Sequence, residues 1–154
     1  MKKYLSLIAL VFYTSLCIAQ ERSNIDFVIR NVGINVDGHF NSFSVTTNFD
    51  ASNNLKKISG DVKVKSIVTG IESRDEHLLE EDYFNASKYA LISLQSIKLE
   101  KISSNQYTAI VDLSIKGKTK RITIPLTVEL SEFSRKITSE FEINRRDFGV
   151  GGSS

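Results

Sequence analysis

From Ile25 onward, apolar and polar positions alternate with a period of two, the signature of strands with one face buried. Ile25, Phe27 and Ile29 alternate with Asp26, Val28 and Arg30. Val36-Asp37-Gly38-His39 then supplies turn chemistry. The next inward row is Phe43, Val45, Thr47 and Phe49, closed by the turn cluster Ala51-Ser52-Asn53-Asn54. Ile58, Gly60, Val62, Val64 and Val68 alternate with Lys57, Ser59, Asp61, Lys63 and Lys65. Between Leu91 and Ile102 the phase slips: Ile92 and Leu94 share one face, Ile97 and Leu99 the other. That slip predicts a bulge. Tyr107, Ala109, Val111, Leu113 and Ile115 form an unbroken row before a tight turn at Gly117-Lys118. Ile122, Ile124, Leu126, Val128 and Leu130 follow, then Ile137, Phe141 and Ile143. Pro125 falls on the outward phase, where a missing N–H is tolerated at an edge or bulge.

One stretch departs from this rhythm. Ser73, with Glu76 three residues later, forms a capping-box pattern that predicts a short helix with Ser73 as its N-cap. Asp75 adds negative charge to the first turn, which the helix dipole favours. Helical spacing puts Leu78, Leu79, Asp82 and Tyr83 on one face and His77, Glu80 and Glu81 on the other. The expected arrangement is a helix lying across one end of a strand structure. Closely spaced strands with turns between them predict an all-β antiparallel barrel or sandwich, and periodicity leaves that choice open.

The first 19 residues read differently. Lys2 and Lys3 precede an apolar run from Leu5 to Val11, and Cys17-Ile18-Ala19 places small residues before a cut. This predicts a secretory signal peptide over 1–19 and a single domain over 20–154. The run is shorter than the ~20 residues of a bilayer span. Leu16 stands before Cys17, where a lipoprotein site expects a small residue. Cleavage after Ala19 predicts a periplasmic or secreted protein. It removes two of the 20 basic residues, leaving 18 against 18 acidic ones. A neutral chain without a long single-sign patch carries no electrostatic footprint for nucleic acid. Cys17, the one cysteine, leaves with the leader, so stability must come from packing rather than disulfides.

Three separated blocks carry a resemblance. The first is Ser66-Ile67-x-Thr69, Arg74-Asp75-x-His77-Leu78, Asp82-x-Phe84 and Lys88-Tyr89. The second runs from Leu113 to Lys120, and the third is Asn144-Arg145-Arg146-Asp147-Phe148-Gly149-Val150-Gly151. Together they resemble the signature of the YceI-like family of lipid-binding proteins. The resemblance implies a lipocalin-like antiparallel β-barrel that encloses a long apolar chain, such as a polyisoprenoid or quinone tail. It also implies a last strand after Gly151-Gly152-Ser153-Ser154; the sequence stops at Ser154, so either it is a fragment or the barrel is open along one edge. The edge so exposed is expected to invite a homodimer. Ala90 stands where the family usually has Pro, and Leu94 where it usually has Phe.

Few residues offer chemistry. His39 and His77 are the two histidines, and no ligand pair has zinc spacing. His77 reads as a surface or capping residue, and Glu80-Glu81-Asp82 as a solvated helix face. There is no G-x-S-x-G and no phosphate-cradling glycine loop. Gly149 and Gly151 read as backbone that must bend or take positive φ. Arg74-Asp75 and Arg145/Arg146-Asp147 read as structural ion pairs, with anionic headgroup binding as the other use of arginine. These observations predict no catalytic residues, no metal and no cofactor beyond a bound lipid. The candidate site is the interior, lined by Phe27, Ile29, Phe43, Val45, Val62, Val64, Leu113, Ile115, Ile122, Leu126 and Phe141. Gly60, Ala109 and Ser139 are small residues on inward phases. Periodicity alone leaves open a barrel filled by its own side chains, acting as a structural or interaction module.

Overall fold

The computed structural model describes residues 23–31 and 33–151. The expected leader, residues 1–19, lies outside them. The described chain is almost entirely antiparallel β, in a lipocalin-like arrangement with one short helix. Six strands form the main sheet, in the order β3 (Phe43–Phe49), β4 (Leu55–Lys63), β6 (Leu91–Lys101), β7 (Gln106–Ile115), β8 (Lys118–Leu130) and β9 (Arg135–Thr138). A smaller sheet joins β1 (Asp26–Asn31), β2 (Ile34–Phe40) and β5 (Ile67–Val68). Helix α1 (Glu72–Leu78) follows β5.

The main sheet curls into a half-barrel, and side chains of its first and last strands meet at one end. The Arg135 guanidinium of β9 lies 4.7 Å from the centroid of the Phe49 ring of β3. Arg135 Nη2 also donates to Asn53 Oδ1 at 2.7 Å, in the loop after β3. Beneath this closure Leu55, Tyr107, Ala109, Val111, Ile124, Leu126 and Val128 form one buried cluster, with Phe49 and Ile137 packed against it. Each large apolar side chain there contributes about 1.5–3 kcal/mol on burial. The β6–β7 pairing shifts register between Ser96 and Lys98. This bulge, expected from the phase slip, leaves Ile97 on the surface.

Three sequence expectations change. Gly38 lies inside β2, and the turn comes earlier, at Gly33 with φ 81°. The reason is a close approach: the Phe27 ring fills the space that a side chain at Gly38 would need. The β7–β8 turn is formed by Lys116 and Gly117, φ 50° and 73°, one residue before the expected pair. Both left-handed residues match a type I′ hairpin, and the Tyr89 ring covers Gly117.

The last strand is also shorter than its pattern. β9 ends at Thr138, so Phe141 and Ile143 lie beyond it, 38% and 40% exposed, and Ser139 is on the surface. Pro125 explains the stop. Val128 N–H points to the β7 side, donating to Asn105 O. Alternation therefore turns Pro125 toward β9, where it has no N–H to give. Its carbonyl instead accepts the Ser139 hydroxyl at 2.6 Å. Among the described residues no strand pairs with this side of β8 N-terminal to Pro125, where Lys118, Lys120 and Arg121 stand. Such charges, together with a proline, discourage edge-to-edge pairing.

Candidate functional site

The concave face of the half-barrel is bounded at its second end by the sequence blocks singled out above, and their side chains act as clamps. Ser66 sits where the chain leaves the main sheet for the small one. Its hydroxyl donates to Lys63 O at 2.7 Å and accepts Ser42 N–H at 3.0 Å, which joins two corners of the chain. Thr69 is the hub of the next clamp. Its N–H donates to Asp75 Oδ1 at 2.9 Å, and its hydroxyl donates to the same oxygen. Arg74 donates through Nε to Thr69 Oγ1 at 2.7 Å and through Nη2 to Thr69 O at 2.6 Å. Arg74 and Asp75 therefore fasten α1 through Thr69, where the sequence suggested a direct ion pair. Such charge-assisted bonds are the stronger kind.

Ser73 is not the N-cap. Ile71 occupies that position, with no side-chain cap, and Ser73 is exposed inside the helix. Asp75 reaching back to Thr69 N–H takes the anchoring role that the capping box suggested. Leu78 is buried with Phe40, Val62 and Ile67, which lays α1 across the end of the barrel as expected. His77 faces solvent, with Nδ1 2.9 Å from Glu80 Oε2 and its ring edge-on to Tyr83.

The third block closes the same end. Phe148, 2% exposed, and Val150 pack with Leu113 and Ile115. Arg145 Nη1 donates to Val150 O at 2.7 Å, and Lys116 Nζ donates to Gly149 O at 2.8 Å. Gly149 and Gly151 take φ 71° and 73°, the positive values expected of them. Arg145 thus also serves a backbone carbonyl and not an acid.

The eleven candidate lining residues fall into distinct surroundings. Leu126 belongs to the packed cluster beneath the Arg135 closure. Val62 belongs to the α1 cluster, against which Phe27 and Phe43 pack. Leu113 and Ile115 lie under Phe148, and Ile122 touches that cluster as well as the first. Val64 is 2% exposed but sits in a 3-10 turn, Val64–Ser66, because β4 ends at Lys63. Ile29 is half-buried on β1. Val45 on β3 is 52% exposed, and Phe141, beyond β9, is also open to solvent. Ala109, a small residue on the inward phase, is 0% exposed and enclosed by larger neighbours. Of the eleven, Val45 and Phe141 are the two most open to solvent.

Among the described residues no buried side chain is polar or charged, and no group of three or more His, Cys, Asp or Glu converges. Across the outer face, Arg121 makes a bidentate pair with Asp112, at 2.8 and 3.0 Å, which holds the Asp112 carboxyl below its usual range. No helix among the described residues is long and apolar enough to cross a membrane.

Residues 17–154 match the YceI-like domain. The chain belongs to the YceI-like family. That family is commonly described as binding lipids and polyisoprenoids in a barrel fold. The UPF0312 protein of Photorhabdus laumondii is 31% identical over 102 residues, covering 65% of this chain and 53% of that one. The UPF0312 protein of Pseudomonas fluorescens is 27% identical over 140 residues, covering 83% and 71%. The chain thus spans between about half and seven tenths of the length of these relatives. The YCEI protein of Campylobacter jejuni superposes with a TM-score of 0.70 at 27% identity, over 97% of this chain and 85% of that one. BcnA of Burkholderia cenocepacia has the same fold, with a TM-score of 0.79 at 23% identity over 84% and 82%. The YceI-like blocks in this chain are the clamps at the α1 end, so the signature marks how the barrel is capped.

Proposed function

We propose that this YceI-like chain is a non-catalytic binding protein for a long apolar lipid, of the polyisoprenoid or quinone-tail class, acting in the periplasm or after secretion. The observation that carries the reading is the uneven inner face. Its two ends are packed and clamped, while on β3 Val45 of the inward row is 52% exposed and Phe43, in the same row, is only half-buried. A flexible hydrocarbon chain suits such a trough because each buried CH₂ contributes ~0.8 kcal/mol without directional contacts. A few isoprene units then bind tightly, and the site reads length and width more than headgroup.

Native mass spectrometry of protein purified without detergent tests this. A co-purifying lipid of several hundred daltons is the expected result. Val45→Trp places a large ring in the open part of the trough and is expected to abolish uptake of a long-chain prenol at unchanged melting temperature. Ala109→Trp is the wrong probe, since that position has no room. Wild type that carries no lipid, and takes up none on titration, overturns the reading in favour of a filled barrel that serves as an interaction module. Sedimentation velocity on the same sample reads whether open edges pair two copies.

A further inference from the structure

The end of the barrel away from α1 has a feature that interior binding does not use. Three hairpin loops gather there: those joining β3 to β4, β6 to β7, and β8 to β9. They are tied to one another. Val128 N–H donates to Asn105 O, Arg135 Nη2 donates to Asn53 Oδ1, and Lys101 Nζ donates to Asn54 Oδ1 at 2.7 Å. The loops nonetheless carry apolar side chains outward. Phe133 is 91% exposed, Ile102 62% and Leu130 49%. Nothing in the barrel's packing calls for an aromatic ring at a hairpin tip, where turn chemistry favours small polar residues.

Charge narrows the choice of partner. Lys101 and Arg135 stand just behind the apolar tips, and asparagine carbonyls, not carboxylates, hold them. Both also lie over rings, Arg135 4.7 Å from the Phe49 centroid and Lys101 5.8 Å from that of Tyr107, which leaves their charge unneutralised, and Glu132 is the acid of the β8–β9 loop. Asp50 is taken up by Lys56 and by the backbone N–H groups of Ser52 and Asn54, and Glu129 by Lys136. Apolar tips with a cationic collar match the layers of a bilayer surface, in which aromatic and aliphatic groups enter the interface and lysine or arginine meets anionic headgroups.

We propose that this end of the barrel docks on a membrane surface containing anionic phospholipid, with Phe133 as the principal inserting residue. The contact is peripheral and reversible, since three side chains and two cations give a small buried area. Its existence does not depend on what the interior holds.

Co-flotation of the full chain with vesicles of phosphatidylcholine and phosphatidylglycerol tests it. Wild type floats with the vesicles, and high salt weakens the association as collar charges are screened. Phe133→Ser lowers the bound fraction by roughly tenfold. Ile102→Ser and Leu130→Ser lower it less, and Glu132→Gln, which removes the carboxylate beside Phe133, raises it. These positions are exposed, so melting temperatures stay at the wild-type value and loss of folding is separable. Wild type that stays with the soluble fraction, or Phe133→Ser that floats equally well, overturns the proposal. So does a Phe133-dependent dimer in sedimentation without vesicle binding. Prenol uptake in the absence of vesicles is expected to be unchanged in Phe133→Ser, which separates this test from that of the interior site.

Discussion

β3 and β7 carry the same alternation and reach opposite ends. On β7 the inward row Tyr107, Ala109, Val111, Leu113 and Ile115 is nowhere more than 6% exposed. On β3 the row Phe43, Val45, Thr47 and Phe49 is covered only partly, and Val45 is 52% exposed. The difference lies in the neighbours. β7 is paired along its length with β6 and β8, and its inner face is roofed from both ends of the barrel. Among the described residues β3 pairs with β4 alone, at the end of the main sheet. Alternation thus tells which way a side chain points. Whether anything lies above it is decided by strands far away in sequence.

The largest expected effect breaks the comparison at its two extremes. Val111→Lys buries an unpaired ammonium at a fully enclosed position and is expected to cost more than about 4 kcal/mol, enough to unfold the protein. The same change at Val45 leaves the ammonium in water and is expected to stay within about 0.5 kcal/mol. Chemical denaturation followed by circular dichroism measures both. Equal losses would mean that the inner face is covered as fully over β3 as over β7.

A smaller effect separates two neighbouring residues in the first sequence block. Arg74→Ala removes two charge-assisted bonds to Thr69 and is expected to cost about 1.5–3 kcal/mol. Ser73→Ala removes no bond seen at the helix start, and serine and alanine differ little in an exposed helix, so a change of no more than about 0.5 kcal/mol is expected. Thermal melts that rank Ser73→Ala as the more damaging would restore the capping-box reading.

The smallest effect concerns the loop end. The Asp50 carboxyl is held down at a pKa of about 2 instead of 3.8. The Asn54 backbone N–H is the main cause, opposed by partial loss of solvent, with the Asn54 side chain, Lys56 and the Ser52 N–H adding to it. Because the folded value is depressed, the stabilisation is complete above the unfolded value and is lost as pH falls from 3.8 toward about 2. Asp50→Asn is therefore expected to lower the melting temperature slightly at neutral pH and to flatten its acid dependence in that window. An acid limb identical to wild type would show that this loop does not contribute.

The sequence alone determined the face of nearly every strand, the β6 bulge, the helix and its buried Leu78, and the blocks that mark a YceI-like chain. These are local properties: a two-residue period, a phase slip and a run of turn residues are all written within about ten positions of one another. Where local reading failed, a distant residue had intervened. Gly38 looks like a turn until Phe27 is seen lying on it, and the last strand looks continuous until Pro125 withholds the N–H it would need. Ser73 looks like a cap until Asp75 reaches back to Thr69. Tertiary structure also decided which inward residues are enclosed and which, like Val45, stay open. Burial is a property of all the elements that surround a position, and no window of one strand contains them.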